Sequence, residues 1–362
     1  MIYFDNNATT PLDERVLEAM MPFLKTMYGN PSSVHRFGRI AKSAIETARE
    51  QVAALVDAPP AQIIFTSGGT EANNLALHRY AHATIAVGAT EHPSVLEAAK
   101  RARAHHCIPV NAQGIIDDEA LAALIALRPD MASIMLANNE TGAIQPIAHI
   151  AECLTPHGIC VHSDAVQALG KIPVSFAQLG VQLLSISSHK IYGPKGCGAL
   201  IFDKSTPPQS SMLGGGQEQD FRSGTENVAA IVGFGKAAEL AKNALAQRHE
   251  ATLALKQQLV LALEKMPHIT LFSCHTQQLP NTVLFGLDGI DGEWVLLKLD
   301  QLGIAVSSGS ACASGEAAPS HVLLAMGISP NVAQTALRVS VSHHNTLTEI
   351  LKFVEIIHSL GK

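Results

Sequence analysis

Short apolar runs alternate with amphipathic stretches along the first two-thirds of the chain. The runs at 62–66, 84–88, 133–137, 158–162, 183–187 and 199–202 predict strands. The stretches at 70–81, 93–104, 117–127 and 146–154 predict helices between them. Such alternation belongs to an α/β fold, a mostly parallel sheet with helices on both faces. A long helical stretch follows at 227–265. After it come shorter mixed segments, at 269–272, 282–285, 292–302, 336–341 and 346–360, which predict a smaller α+β domain. The first dozen residues are expected to join that smaller unit. The division is therefore 13–250 for the large domain and 1–12 with 251–362 for the small one. In open sheets of this kind ligands bind beyond the carboxyl ends of the strands, so the residues just after each strand carry the most information.

Composition narrows the function classes. The chain has 362 residues, 47% hydrophobic and 15% charged, which is ordinary for a globular protein and suits about two domains. Its net charge is −6, so it offers no cationic field to nucleic acid or acidic membranes. No uncharged apolar run approaches the roughly 18 residues of a membrane helix. The start, Met1-Ile2-Tyr3-Phe4-Asp5, lacks the basic head and apolar stretch of a secretory signal, so a cytoplasmic protein is expected and the sequons at Asn7 and Asn139 are chance. Six scattered cysteines form no Cys-x-x-Cys and no zinc spacing, so no metal is expected.

Six pieces of sequence sit where chemistry is expected. Ser67-Gly68-Gly69-Thr70-Glu71 joins a strand to a helix, and its free N–H groups and helix dipole make a phosphate cradle. Asp164 stands at a strand tip, where it caps a helix or serves a ligand. Lys190, in Ser187-Ser188-His189-Lys190, directly follows an apolar strand; a desolvated lysine there is an amine nucleophile. Lys195 competes with it but lies inside a turn and is expected to face solvent. The three together suggest pyridoxal phosphate, which needs a lysine for its aldehyde, an acid for its pyridine nitrogen and an anion site for its phosphate. His92, in Thr90-Glu91-His92-Pro93, is placed to stack on a ring or move protons. Cys312 lies among small residues, Ser307 to Gly315, and is expected on a mobile, accessible loop as a nucleophile, whereas Cys107, Cys153, Cys160 and Cys197 read as small hydrophobes. Arg338, in a strand of the smaller domain, either forks onto an α-carboxylate or forms a structural ion pair.

With these residues in view, the chain resembles the cysteine desulfurases of class V aminotransferase type, the branch that serves iron–sulfur cluster and nitrogen-fixation systems. The resemblance runs over nearly the whole chain, from Tyr3-Phe4-Asp5-Asn6-Asn7-Ala8-Thr9-Thr10-Pro11 through Gly29-Asn30-Pro31-Ser32-Ser33, Asn138-Asn139-Glu140, His162-Ser163-Asp164 and Arg222-Ser223-Gly224-Thr225. Ser308-Gly309-Ser310-Ala311-Cys312 resembles the long-loop group. The implied fold is pyridoxal-phosphate-dependent transferase fold type I. The resemblance also implies roles. Lys190 would carry the cofactor, Asp164 would hold its pyridine nitrogen and Gln167 its phenolic oxygen. Gly69, Thr70, Ser187 and His189 would bind its phosphate. Thr225 would reach the phosphate of a second subunit, which implies a homodimer. His92 would stack on the ring, Asn139 and Arg338 would hold the substrate carboxylate, and Cys312 would accept sulfur.

The reaction so implied takes L-cysteine to L-alanine and leaves a persulfide on Cys312, which passes its sulfur to an acceptor protein. Selenocysteine lyase and another class V aminotransferase are the rival activities; a colourless sulfur carrier on an inherited fold is the rival of another class. The chain departs from the family where Glu-Arg-Gly is common: it reads Glu218-Gln219-Asp220-Phe221. It also reads Ser342-His343-His344 in place of a common Gly-Arg pair, and it ends at Lys362, short of the tail by which longer relatives engage a scaffold.

Overall fold

The structure is a computed structural model; it describes residues 1–308 and 319–360. The described strands are β1 (Ile2–Tyr3), β2 (Ile63–Thr66), β3 (Thr84–Gly88), β4 (Ala104–Ile108), β5 (Met131–Ser133), β6 (Cys160–Asp164), β7 (Leu183–Ser187), β8 (Gly198–Phe202), β9 (Ile269–Leu271), β10 (Thr282–Leu287), β11 (Ile304–Ala305), β12 (Ser307–Ser308) and β13 (Ala336–Ser340).

Seven of them form the main sheet, in the order β2-β8-β7-β6-β5-β3-β4. The five from β7 to β4 run parallel, and β8 is antiparallel to both its neighbours. Alternate side chains of the same strands feed two different cores. Ile63, Phe65, Leu184, Ile186, Ala199 and Ile201 face one; Ile64, Leu183, Leu200 and Phe202 face the other. A period of two with apolar residues at both phases is what a doubly covered sheet demands.

The predicted strands and helices recur with shifted ends. The run at 133–137 pairs as β5 only at Met131–Ser133, although Ile134 N and Leu136 N still follow β6 by donating to His162 O and Asp164 O. The helix expected over 93–104 stops at Ala99, and β4 follows as the edge strand. Cys107 on that edge is exposed, not a buried hydrophobe, because nothing pairs beyond it among the described residues. Two long helices lie outside the predicted segments, Glu14–Lys25 and Arg36–Leu55. The second carries a readable stripe of Ala41, Ile45, Ala48, Val52 and Ala53, but its small apolar side chains make a weak signal. They serve close packing: a Cβ on Gly235 of the long helix would lie 2.6 Å from Ala48 Cα.

That long helix, Val228–Leu263, spans both cores. Ala230, Phe234 and Ala241 pack with the main sheet; Leu259 and Leu263 pack with the second sheet, β12-β13-β10-β9, which is antiparallel. Phe4 is in this second core, edge-on to Phe353 with centroids 5.8 Å apart, and β1 pairs with β11. This arrangement supports the proposed units of 13–250 and of 1–12 with 251–362, whose boundary falls within the long helix.

One buried pair shapes the loop before Arg222. Glu218 takes Arg49 Nη1 and Nη2 at 2.8 Å each and Phe65 N at 2.8 Å. Glu218, Gln219 and Asp220 all have left-handed φ, 47°, 59° and 69°, a strained run for non-glycine residues that the Glu218 contacts hold in place. Glu218→Gln would leave the buried Arg49 charge with only the exposed Glu46, 3.3 Å from its Nε. A loss of about 3 kcal/mol is expected, read as a lower urea midpoint at unchanged slope.

Candidate active site

The lysine turn is built from the end of β7. Ser188–Lys190 makes a single 3-10 turn, and the N-terminal segment closes over it. Thr10 N and Oγ1 both donate to His189 O, Tyr192 N donates to Thr10 Oγ1, and Lys190 Nζ donates to Ala8 O at 2.7 Å and to Asn7 O. Asn6, Asn7 and Thr10 are at most 4% exposed. Residues that read as the start of the smaller unit thus form a wall around the Lys190 amine. The signal lay in the polar run Asp5 to Thr10, set between the apolar Phe4 and Leu12; such a run is buried only when its groups find partners.

Lys190 has no carboxylate in hydrogen-bond contact among the described residues. Burial pushes its pKa down to about 8, and the nearby Arg338 pushes the same way, while Asp164 and Asp5 pull it up. A part of the amine population is therefore unprotonated near neutral pH. Lys195 is exposed.

Asp164, at the tip of β6, is 6% exposed. Its Oδ2 accepts from Asn73 Nδ2 at 2.7 Å and its Oδ1 from Val166 N at 2.9 Å. Asn73 was not anticipated; it sits one helical turn into Gly69–His78, on the face turned to β6. Three residues beyond Asp164, Gln167 Nε2 donates to Asn7 O at 2.9 Å.

His92 caps the helix Pro93–Ala99. Its Nδ1 accepts from Ser94 N at 3.1 Å and lies 2.7 Å from Ser94 Oγ. With Nδ1 engaged as acceptor, the neutral ring carries its proton on Nε2. Burial lowers the His92 pKa, Lys190 and His321 reinforce this, and Asp164 opposes it. His189 Nδ1 is 3.1 Å from Thr9 Oγ1, and burial brings its pKa down to about 4.

These groups meet at one cavity of about 260 Å³, lined by Gly69, Thr70, Asn139, Ser187, His189 and Lys190 together with His92, Asp164 and Gln167. Pyridoxal phosphate fits the residues present. The helix Gly69–His78 points its first, unpaired N–H groups at one end, next to Ser187, whose buried Oγ has no partner among the described residues. Gly69 must lack a side chain there: a Cβ would lie 2.8 Å from Val166 Cγ2 and 3.7 Å from Ser187 Cβ. At the other end stand an acid and an amine, and Asn73 Oδ1 is a second buried atom without a partner among the described residues.

Two residues stand differently from the rest. Arg338 is 2% exposed and forms the structural ion pair, Nη2 to Asp5 Oδ1 at 2.6 Å, while Nη1 donates to Asn139 O at 3.0 Å. Only its Nε is unpartnered among the described residues. A ligand carboxylate there competes with Asp5. Thr225 is exposed and does not line the cavity.

Cys312 lies outside the described residues. The described flanks of its segment are both at the site: Ser307 pairs with Arg338 across β12 and β13, and His321 Nε2 is 3.0 Å from Glu91 O. Ser320 Oγ donates to the buried Glu140, whose pKa burial raises to about 7. Of the remaining cysteines, Cys197 is buried and its thiol is pushed up by desolvation, as is that of Cys160, to about 11.

A family model described as aminotransferase class-V matches residues 2–353. A cysteine desulfurase IscS of Dictyoglomus turgidum is 41% identical over 372 residues, covering 99% of this chain and 94% of that protein. A cysteine desulfurase of Trichormus azollae is 42% identical, covering 99% and 92%. Among solved structures, a NifS-like protein from Rickettsia africae superposes with a TM-score of 0.93 at 38% identity, covering 99% of each chain. A protein solved as SspA in complex with cysteine superposes at 0.80 with 31% identity, covering 96% of this chain and all of the other.

Proposed function

The chain belongs to the aminotransferase class-V family, and from that premise we infer an enzyme that removes sulfur from L-cysteine. It is a pyridoxal-phosphate-dependent cysteine desulfurase, of fold type I, that yields L-alanine and an enzyme persulfide. The observation that carries the reading is the convergence of Lys190, Asp164 and the Gly69–His78 N-terminus on one cavity.

The roles of individual residues are proposals. Lys190 Nζ would bond the cofactor's aldehyde carbon, Asp164 would keep the pyridine nitrogen protonated, and Gln167 would face the phenolic oxygen. Gly69, Thr70, Ser187 and His189 would hold the phosphate, with Thr225 of a second copy. The cofactor, when bound, supplies an electron sink for the charge left at the substrate Cα.

This chain's residues do the rest. Lys190, once free, would take the Cα proton; an amine whose pKa burial brings down to about 8 is suited to that. The neutral ring of His92 stacks without adding charge beside a protonated pyridine, and its Nε2–H is a donor. Arg338 and Asn139 hold the carboxylate, with Asp5 yielding a part of its hold on the guanidinium. Cys312 thiolate then takes the substrate sulfur: its S–S bond forms, the Cβ–S bond breaks, and a returned proton completes alanine.

The protein is further proposed to act as a homodimer, which the exposed Thr225 supports, and in the cytoplasm, where its five described cysteines, all unpaired, would stay reduced. No described helix is long and apolar enough to cross a membrane. The sulfur goes to an acceptor protein, for iron–sulfur cluster assembly or another sulfur transfer. The test is a visible spectrum of the purified protein before and after L-cysteine with alanine quantified. The reading expects a visible band that changes on addition and alanine formed without a keto acid. Alanine that appears only with a keto acid would identify an aminotransferase instead.

A further inference from the structure

Lys171 has no part in the roles above, yet it holds two of the residues that do. Its Nζ donates to Gln167 Oε1 at 2.8 Å and to Asn7 Oδ1 at 2.8 Å. Asn7 is itself fixed at every polar atom. Its Oδ1 also takes Asn281 Nδ2, its Nδ2 donates to Asn139 O and Thr282 Oγ1, and its N donates to Ser340 Oγ. Its backbone O accepts from both Gln167 Nε2 and Lys190 Nζ.

That geometry settles which way the Gln167 amide points. A backbone oxygen only accepts, so the atom on Asn7 O is Nε2 and the atom on Lys171 is Oε1. Nε2 then has one hydrogen left over. It shares its acceptor with the Lys190 amine, and both residues line the same cavity, so this hydrogen is free for a cofactor joined to Lys190. An amide whose oxygen is already bound by an amine is also a stronger donor from its nitrogen.

We propose that Lys171 is a positioning residue of the cofactor site: anchored on Asn7, it pins and polarises the Gln167 amide so that the second Nε2 hydrogen is delivered to the cofactor's phenolic oxygen. The inference rests on the assignment of Lys190 and Gln167 to the cofactor. Two donors suffice for the pinning, and an amine keeps two N–H groups in either protonation state.

The charges around Lys171 set the direction of the effect. Burial, then Lys190 and Arg338, push its own pKa well below the usual lysine value. Asp164 and Asp5 act on the neighbouring Lys190 from the other side. Tyr192, Arg248 and His343 line the small cavity it shares with Lys190. Among the described residues no carboxylate is in hydrogen-bond or ion-pair contact with Lys171. A donor to the phenolic oxygen favours its ionised form, which weakens the hold on the proton of the Lys190–cofactor linkage. Loss of Lys171 therefore raises the pH at which that linkage titrates.

The experiment is a pH titration of the visible band of the holoenzyme, in the wild type, Lys171→Met, Gln167→Leu, their double variant and Lys256→Met. Lys256 is a comparable buried amine that lines neither the main cavity nor the small one, held by Gln278 Oε1 and Leu279 O. Lys171→Met should raise the midpoint by about one pH unit. Gln167→Leu should do the same, the double variant should add little, and Lys256→Met should titrate as wild type. A Lys171→Met midpoint equal to wild type, or fully additive shifts, would overturn the inference. If Lys171→Met loses the cofactor, Lys171→Gln, one atom too short to reach both oxygens, is judged by the same midpoint. A wild type with no visible band would instead refute the assignment of Lys190.

Discussion

Lys190→Ala is expected to purify colourless with added pyridoxal phosphate and to form alanine from L-cysteine at least about 10³-fold more slowly than wild type. The size follows from two duties that fall on one amine. In the proposed mechanism it is the covalent tether, and once released it is the group that takes the Cα proton. Its surroundings suit both: burial and Arg338 bring its pKa to about 8, and its hydrogen bonds in the structure go to the backbone oxygens of Asn7 and Ala8. Those are partners that an amine can leave, because a backbone oxygen carries no full charge to hold it. Borohydride reduction followed by peptide mapping checks the tether directly. A reduced adduct at any position other than 190 would remove the basis of the mechanism.

Cys312→Ser should show the opposite split. The visible band and its response to L-cysteine should persist, while the enzyme persulfide and alanine formation should fall to background. A hydroxyl is a poor nucleophile toward sulfur, and the described cysteines offer no substitute: Cys160 and Cys197 are held up by desolvation as thiols, and Cys107, Cys153 and Cys274 do not line the cavity. Persulfide labelling and alanine assay on the same sample separate this outcome from loss of the cofactor. Desulfuration by Cys312→Ser at the wild-type rate would assign the nucleophile elsewhere.

The chemistry of the site was legible along the chain because its main members sit at strand ends, where local sequence and function coincide. Asp164 and Lys190 close successive strands, and the Gly69 turn opens a helix directly after another. What was hidden are groups that act only through distant partners. Asn73 reads as an ordinary helix residue until β6 brings Asp164 against it. Arg338 was open between two readings, and its pairing with Asp5, 333 positions away, was decided by the isolated bridge that sets Asp5 beside Ser340 at the end of β13. The helix Arg36–Leu55 was hidden for another reason: its buried stripe is rich in alanine, which carries little hydrophobic contrast.

The sequence by itself determined the layered α/β plan and the cofactor, and it is the source of the proposed lysine, acid and cysteine. Each of these is written in a local pattern: a period of two, a turn at a strand end, a residue type that chemistry requires. Tertiary structure alone decided that residues 5–10 wall in the lysine, that Asn7 links Gln167, Lys171 and Lys190, and that burial brings the lysine's pKa down. Those properties arise from burial and from hydrogen bonds between segments far apart in the chain, and no local pattern encodes which distant groups a fold will bring together.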